Sequence, residues 1–365
     1  IFDPEALDCR RWAAAAKAGG LSGLILTAKH HDGFCLWPTA TTDHHVGNSP
    51  LRDGAGDVVG ELAAACAEAE LGFGLYCSPW DRSHPDYGRP AYVDVYHRQW
   101  EELLTGYGEL FELWFDGANG GDGYYGGARE RREIDARSYY RLDELWARCR
   151  DRQPGAVIFS DAGPDVRWCG NEAGFTGTTS WAKVRPEGFA PGVVDDHERL
   201  AAGDPDGSVW RPVEVDVSLR PGWFFHPTER AKTAEELFAI WLASVGRGAG
   251  LNLNIAPDRR GLIDERDVVE LARFRGLIEA FTAVDLARDA DVTASSTVAG
   301  DPQHLVSPSD DEVWVAADRT AEVVVDFGRT VGIGGVRVEE AIGFGQRVSG
   351  FAVDVLHHGW YEWYR

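Results

Sequence analysis

Methionine is absent from all 365 residues, and the first residue is Ile1. The chain enters at Phe2-Asp3-Pro4 with no strand pattern before it, so it is expected to be cut at its N-terminus, with any export signal lying upstream. Cysteine is sparse. Cys9, Cys35, Cys66, Cys77, Cys149 and Cys169 form no CxxC pair, which argues against a zinc ribbon or thioredoxin-type site. They are too few for a disulfide scaffold and, sitting beside apolar residues, read as small buried hydrophobes. Basic residues are also short: 36 against 59 acidic ones, for a net charge of −23. That balance opposes binding to a phosphate backbone, so no nucleic-acid partner is expected. No apolar run reaches the roughly 18 residues that span a bilayer. No GxGxxG or Walker-type sequence follows a strand, which removes the usual nucleotide cradles.

What is present reads as a large folded domain and a smaller one. A hydrophobic content of 44% with 26% charged residues excludes a disordered or fibrous chain. Helix patterns cover Asp8–Ala18, Asp57–Leu71, Tyr92–Tyr107, Asp135–Arg152, Thr233–Val245 and Asp264–Phe281. Between them, strand patterns cover Gly23–His31, Phe73–Ser78, Leu110–Asp116, Ala156–Ser160, Val166–Cys169, Val213–Leu219 and Leu251–Ile255. Alternation of this kind implies a parallel sheet with helical crossovers. Polar and aromatic residues gather where the strands end: His30, His31 and Asp32; Trp80 and Asp81; Asp116; Asp161. Chemistry at many strand ends is the habit of a (β/α)8 TIM barrel, whose first strand is expected upstream of Ile1. The catalytic domain is expected over residues 1–283. After Ala283 short strand patterns at Ala294-Ser295-Ser296, Val313-Trp314, Glu322–Phe327, Gly335–Val338 and Phe351–Val355 predict a partial all-β sandwich over 290–365.

Strand parity separates packing from chemistry. In LFELWFD, Phe111, Leu113 and Phe115 share the face that meets helices, while Glu112, Trp114 and Asp116 point into the barrel. By the same rule Tyr76, Ser78, Trp80, Asn252 and Asn254 point inward. Such a lining suits sugars, which have an apolar face and a rim of hydroxyls. A glycosidase needs two carboxyl groups flanking the scissile bond. Asp116 is one candidate, and Glu172 or Glu214 the other. Glu172 lies between Gly170 and Gly174 in a loop, whereas Glu214 at a strand start suits an interior or hydroxyl contact. Trp223, after Pro221-Gly222, is the best stacking candidate. Two rival readings exist: a metal-dependent hydrolase using His30, His31 and Asp32, and a non-catalytic sugar-binding protein. Adjacent histidines on a strand point to opposite faces, which disfavours the first. The second would not need both Asp116 and Glu172.

Six stretches then carry a family resemblance: TAKHHDGFCLWP (27–38), GLYCSPWDR (74–82), ELWFDGANG (112–120), GPDVRWCGNEAG (163–174), PVEVDVSLRPGWFFH (212–226) and LNLNIAPDRRG (251–261). In this order and spacing the chain resembles glycoside hydrolase family 29, the retaining α-L-fucosidases, and in particular the branch acting on α-1,3 and α-1,4 linkages. The resemblance implies that Asp116 is the nucleophile and Glu172 the acid/base. It implies that His30, His31, Tyr76 and Trp223 bind fucose, with Trp37, Trp80 and Glu214 as further substrate contacts. No cofactor and no metal are implied. The partner is a fucosylated oligosaccharide or glycoconjugate, and a secreted or cell-surface location is favoured. The tail, with Ser295-Ser296, Trp314 and Gly345-Gln346-Arg347-Val348, is similar to the start of a discoidin-type carbohydrate-binding module.

Overall fold

A computed structural model of the chain describes residues 2–309, 311–357 and 360–364. The chain divides into two compact units, 1–275 and 276–365. The first is built on a seven-stranded sheet whose strands lie side by side in chain order. They are β1 (Gly23–Lys29), β2 (Gly72–Cys77), β3 (Glu112–Trp114), β4 (Val157–Ser160), β5 (Val166–Trp168), β6 (Val213–Ser218) and β7 (Gly250–Asn254). Every pairing is parallel. Helices α1 (Cys9–Ala18), α2 (Val58–Ala69), α3 (Pro90–Gly106), α4 (Leu142–Arg152), α5 (His197–Ala202), α6 (Ala234–Ala243) and α7 (Glu265–Thr282) precede, connect or follow the strands. The alternation breaks once: only residues 161–165 separate the parallel strands β4 and β5.

Parity holds along the strands. Leu75, Cys77, Leu113 and Phe115 are buried, and the Phe115 ring stacks on Trp100 of α3 at 4.4 Å. Tyr76, Glu112, Trp114, Glu214 and Asn252 occupy the opposite face and bond to one another or to Asp116. That face is concave. Five strand spacings of about 4.8 Å would put β1 about 24 Å from β6 in a flat sheet. Instead the His30 ring, just past β1, lies 5.4 Å from Phe224, just past β6. The helix layer closes in the same sense: Trp12 of α1 donates to the Gly261 carbonyl at 2.8 Å, and Arg275 of α7 to the Lys17 carbonyl at 3.0 Å.

Local signals place the helix starts. Asp8, Asp57 and Thr233 each accept a backbone N–H from the first turn of α1, α2 and α6, and Thr233 completes a capping box with Glu236. One expected helix is shorter than its pattern. Asp135–Arg152 is helical only from Leu142, because the Asp135 side chain accepts from the Ser138 hydroxyl at 2.6 Å and Arg141 turns the chain at φ 49°. Side-chain oxygens that bond locally compete with helix, and the left-handed residue then resets its direction. The six cysteines are all buried free thiols.

In the second unit β8 (Asp291–Ala294) pairs antiparallel with β9 (Val323–Asp326), and β10 (Val353–His357) with β11 (Trp360–Tyr364). Gly335–Val338 and Val313-Trp314 are not strands; a single bridge joins Ala299 to Val315. Among the described residues no helix is long and apolar enough to cross a membrane.

Candidate active site

The C-terminal ends of the strands bring together residues far apart in sequence. Asp116 follows β3. Its Oδ1 accepts the Ala118 N–H at 2.8 Å, and its Oδ2 accepts the Tyr76 hydroxyl at 2.7 Å. Burial and the neighbouring carboxylate push the Tyr76 phenol far up, so it stays protonated and donates. These two bonds fix the plane of a carboxylate that remains partly open, with 23% of its side chain exposed.

His30 and His31 follow β1, their ring centroids 4.0 Å apart. His31 Nδ1 lies 2.7 Å from the Ser78 hydroxyl, which donates to the Trp80 carbonyl at 3.0 Å. His31 Nε2 lies 3.7 Å from Asp116 Oδ2. Burial, then repulsion from His30 whenever that ring is protonated, holds His31 down to about 4, and burial lowers His30 as well. Both rings are therefore neutral at ordinary pH and can bond hydroxyl groups. Trp80 packs on His31 at 4.8 Å.

On the other side, the loop after β5 carries Glu172 and the loop after β6 carries Trp223. The Trp223 indole N–H donates to Glu172 Oε2 at 3.1 Å, and both residues are exposed. The chain after β5 also turns back on β6, where Ala173 bridges Val217. Phe224, beside Trp223, meets the His30 ring edge-on.

Beneath the pocket lies a second set of carboxyl groups. Glu214 is 8% exposed and accepts from Trp114 Nε1 at 2.9 Å and Asn252 Nδ2 at 3.2 Å. Its remaining partner is Glu112, pushed up to about 9 by burial and the Glu214 charge. Burial raises Glu214 as well, so the pair resists carrying two charges. Asp216, one pleat further along β6, accepts the Trp168 indole N–H at 2.6 Å. Burial first, then Glu172 and Glu214, raise it to about 7.

Asp116, Tyr76, His30, His31 and Trp80 form one cluster, and Glu172 with Trp223 a second, which the Phe224–His30 contact joins to the first. One expected substrate contact sits elsewhere. Trp37 is 1% exposed and its indole donates to Glu102 of α3 at 2.8 Å, so it is a core residue. Its place in a motif beside the histidines gave it a role that burial denies. Glu214 is 8% exposed, and its donors Trp114 and Asn252 both reach Oε1. Sequence reasoning missed Phe224 and Asp216 as site residues. For Asp216 the signal was available, since it shares inward parity with Glu214. Among the described residues no three His, Cys, Asp or Glu side chains are placed to hold a metal ion.

The α-L-fucosidase family pattern matches residues 1–275. α-L-Fucosidase 1 of Arabidopsis thaliana is 41% identical over 374 residues, covering 100% of this chain and 71% of its own. A glycoside hydrolase 29 family member from an unknown rumen bacterium superposes with a TM-score of 0.85 at 40% identity, over 99% of this chain. This chain spans 61% of the length of that protein. A Ruminococcus gnavus GH29 fucosidase in complex with fucose is similar over 90% of this chain and 71% of its own, with a TM-score of 0.75 and 29% identity.

Proposed function

Because the chain belongs to the α-L-fucosidase family of glycoside hydrolases, we propose that it releases terminal L-fucose from fucosylated glycans by double displacement. Asp116 attacks the anomeric carbon and forms a fucosyl ester. Glu172 protonates the departing oxygen, then takes a proton from water as the ester is hydrolysed, with net retention. One observation carries this reading. Asp116 is a carboxylate oriented by two hydrogen bonds at the mouth of the sheet, open to the pocket and faced by two neutral histidines. The two neutral imidazoles supply ring nitrogens that can bond a hydroxylated ring. The finer reading is an α-1,3/1,4-linkage preference, which rests on the GPDVRWCGNE stretch (163–172) around Glu172.

The same reading takes the seven strands as part of a (β/α)8 barrel. The curl of the sheet and the contact of α1 with α7 support it. For residues 290–365 we infer a discoidin-type carbohydrate-binding module, supported by the antiparallel pairing of β8 with β9 and of β10 with β11.

The nucleophile test is Asp116→Ala. Turnover of even an activated aryl fucoside is expected to fall by about three orders of magnitude or more. Azide should restore rate to the variant and give a fucosyl azide of inverted configuration. Near-normal activity would remove Asp116 from the mechanism. A release assay on α-1,2, α-1,3 and α-1,4 fucosyl oligosaccharides tests the linkage preference.

A second pair of variants tests the acid/base. Protonation matters most when the leaving group is poor. Glu172→Ala should cripple hydrolysis of natural fucosides, spare the first step on an aryl fucoside, and flatten the basic limb of the pH profile. Glu214→Ala should act through the interior and depress both substrates alike. The reverse pattern would move the acid/base to Glu214.

A further inference from the structure

We propose that the buried ion pair Arg220–Asp267 is a positioning device for the acid/base, holding the 221–229 segment so that the Trp223 indole keeps Glu172 aimed. The proposal rests on the reading of Glu172 as acid/base.

The segment between β6 and α6 has no regular secondary structure from Pro221 to Lys232, yet it presents Trp223 and Phe224 to the pocket. An irregular segment with exposed aromatic residues needs another source of rigidity. Arg220 supplies it from behind. Its Nε and Nη2 donate to the two oxygens of Asp267 on α7 at 2.9 and 2.8 Å, with exposures of 2% for the arginine side chain and 0% for the aspartate. Its Nη1 turns the other way, to the carbonyls of Glu229 at 2.5 Å and His226 at 3.3 Å. Its guanidinium lies 4.5 Å from the Phe225 ring centroid. One side chain thus ties α7 to the returning arm of the segment and to the residue next to Phe224.

The base and tip are held as well. Lys232 N–H donates to the Leu219 carbonyl at 2.7 Å, the Ser218 hydroxyl to the Gly222 carbonyl at 2.7 Å, and Asn254 to the Trp223 carbonyl at 3.1 Å. What remains projecting is the Trp223 indole, with its N–H on Glu172. A fork-to-fork guanidinium–carboxylate bond fixes direction as well as distance, which a lysine ammonium cannot do. Replacing a buried ion pair by apolar residues of similar volume is often neutral or stabilising. A buried pair that also grips two carbonyls of the segment is therefore explained by the geometry it imposes.

The test uses three variants and two substrates, an aryl fucoside with a good leaving group and an unactivated fucosyl oligosaccharide. Arg220→Lys keeps the charge and loses the fork. Trp223→Phe keeps an aromatic ring for stacking and loses the N–H. Both are expected to lower kcat/KM for the oligosaccharide by about tenfold or more, the scale of a misplaced catalytic group, and for the aryl fucoside by less than about threefold. The basic limb of the pH profile should shift in both. A merely structural role would depress both substrates equally and leave the profile unmoved. If Arg220→Lys does not fold, as judged by circular dichroism, a fourth variant, Asp267→Asn, which keeps the shape and breaks the fork, decides in its place: equal losses on the two substrates overturn the proposal. Glu172→Ala, measured in parallel, separates the two failures. A leaving-group-dependent loss in Glu172→Ala without one in Trp223→Phe refutes the positioning role only. A leaving-group-independent loss in Glu172→Ala refutes the acid/base assignment on which the role depends.

Discussion

At the scale of single residues, the interior of the sheet holds more acid than its function uses. Burial raises both Glu112 and Glu214, and Asp216 lies beside them with the Trp168 N–H as its donor. Their raised titration links stability to pH with a definite sign. A carboxyl group raised on folding holds a proton that the unfolded chain releases, so its favourable contribution is complete below the unfolded value and disappears as pH rises through the folded one. For Glu112 that window runs from the ordinary 4.5 to about 9, and for Asp216 from 3.8 to about 7. Stability should therefore fall from mildly acidic to alkaline pH. Glu112→Gln has no proton to lose, and its amide can still donate to Glu214. The melting temperature of this variant should differ little from the parent near pH 5 and fall less steeply towards pH 9. Parallel curves for the two proteins would mean that Glu112 does not lose a proton across this range.

At the scale of elements, strand and helix order was legible because periodicity and caps are local. The seven strands appear where alternation or apolar runs predicted them, and Asp8, Asp57 and Thr233 act as helix caps. The failures are tertiary. Asp135–Ser138 makes a turn inside a helical pattern, as the φ of Arg141 records. The two-residue antiparallel pairs Gly123–Tyr124 with Arg131–Arg132 and Lys183–Val184 with Val209–Trp210 are too short to leave a periodic trace. The site divides in the same way. Parity pointed Asp116, Tyr76 and Trp80 inward, loop position marked Glu172 and Trp223 as candidates, and the motif resemblance chose Glu172 over Glu214. None of these signals could tell that Trp37 turns into the core toward Glu102, because that depends on where α3 packs. Nor could any show that Arg220 reaches Asp267, a partner on α7 beyond another helix and strand.

At the scale of the whole molecule, the net charge of −23 should govern which fucosylated glycans are captured quickly. Fucose itself is uncharged, and His30 and His31 are lowered by burial, so no fixed cation on those rings draws an anion into the pocket. The summed negative potential then acts on the remainder of the glycan. Raising ionic strength from about 20 to about 500 mM shortens the screening length from about 20 to about 4 Å and removes most of that long-range field. For a neutral fucosyl oligosaccharide, kcat/KM is expected to change by less than about twofold across this range, since there is no charge for the field to act on. For a sialylated or sulfated fucosyl glycan it should be lower at low salt and rise severalfold as salt is added. The measurement is a salt series with the two substrates under identical pH. A fall with salt for the anionic glycan would mean that a local basic surface near the leaving-group side outweighs the net charge, and substrate capture would then have to be argued from that surface.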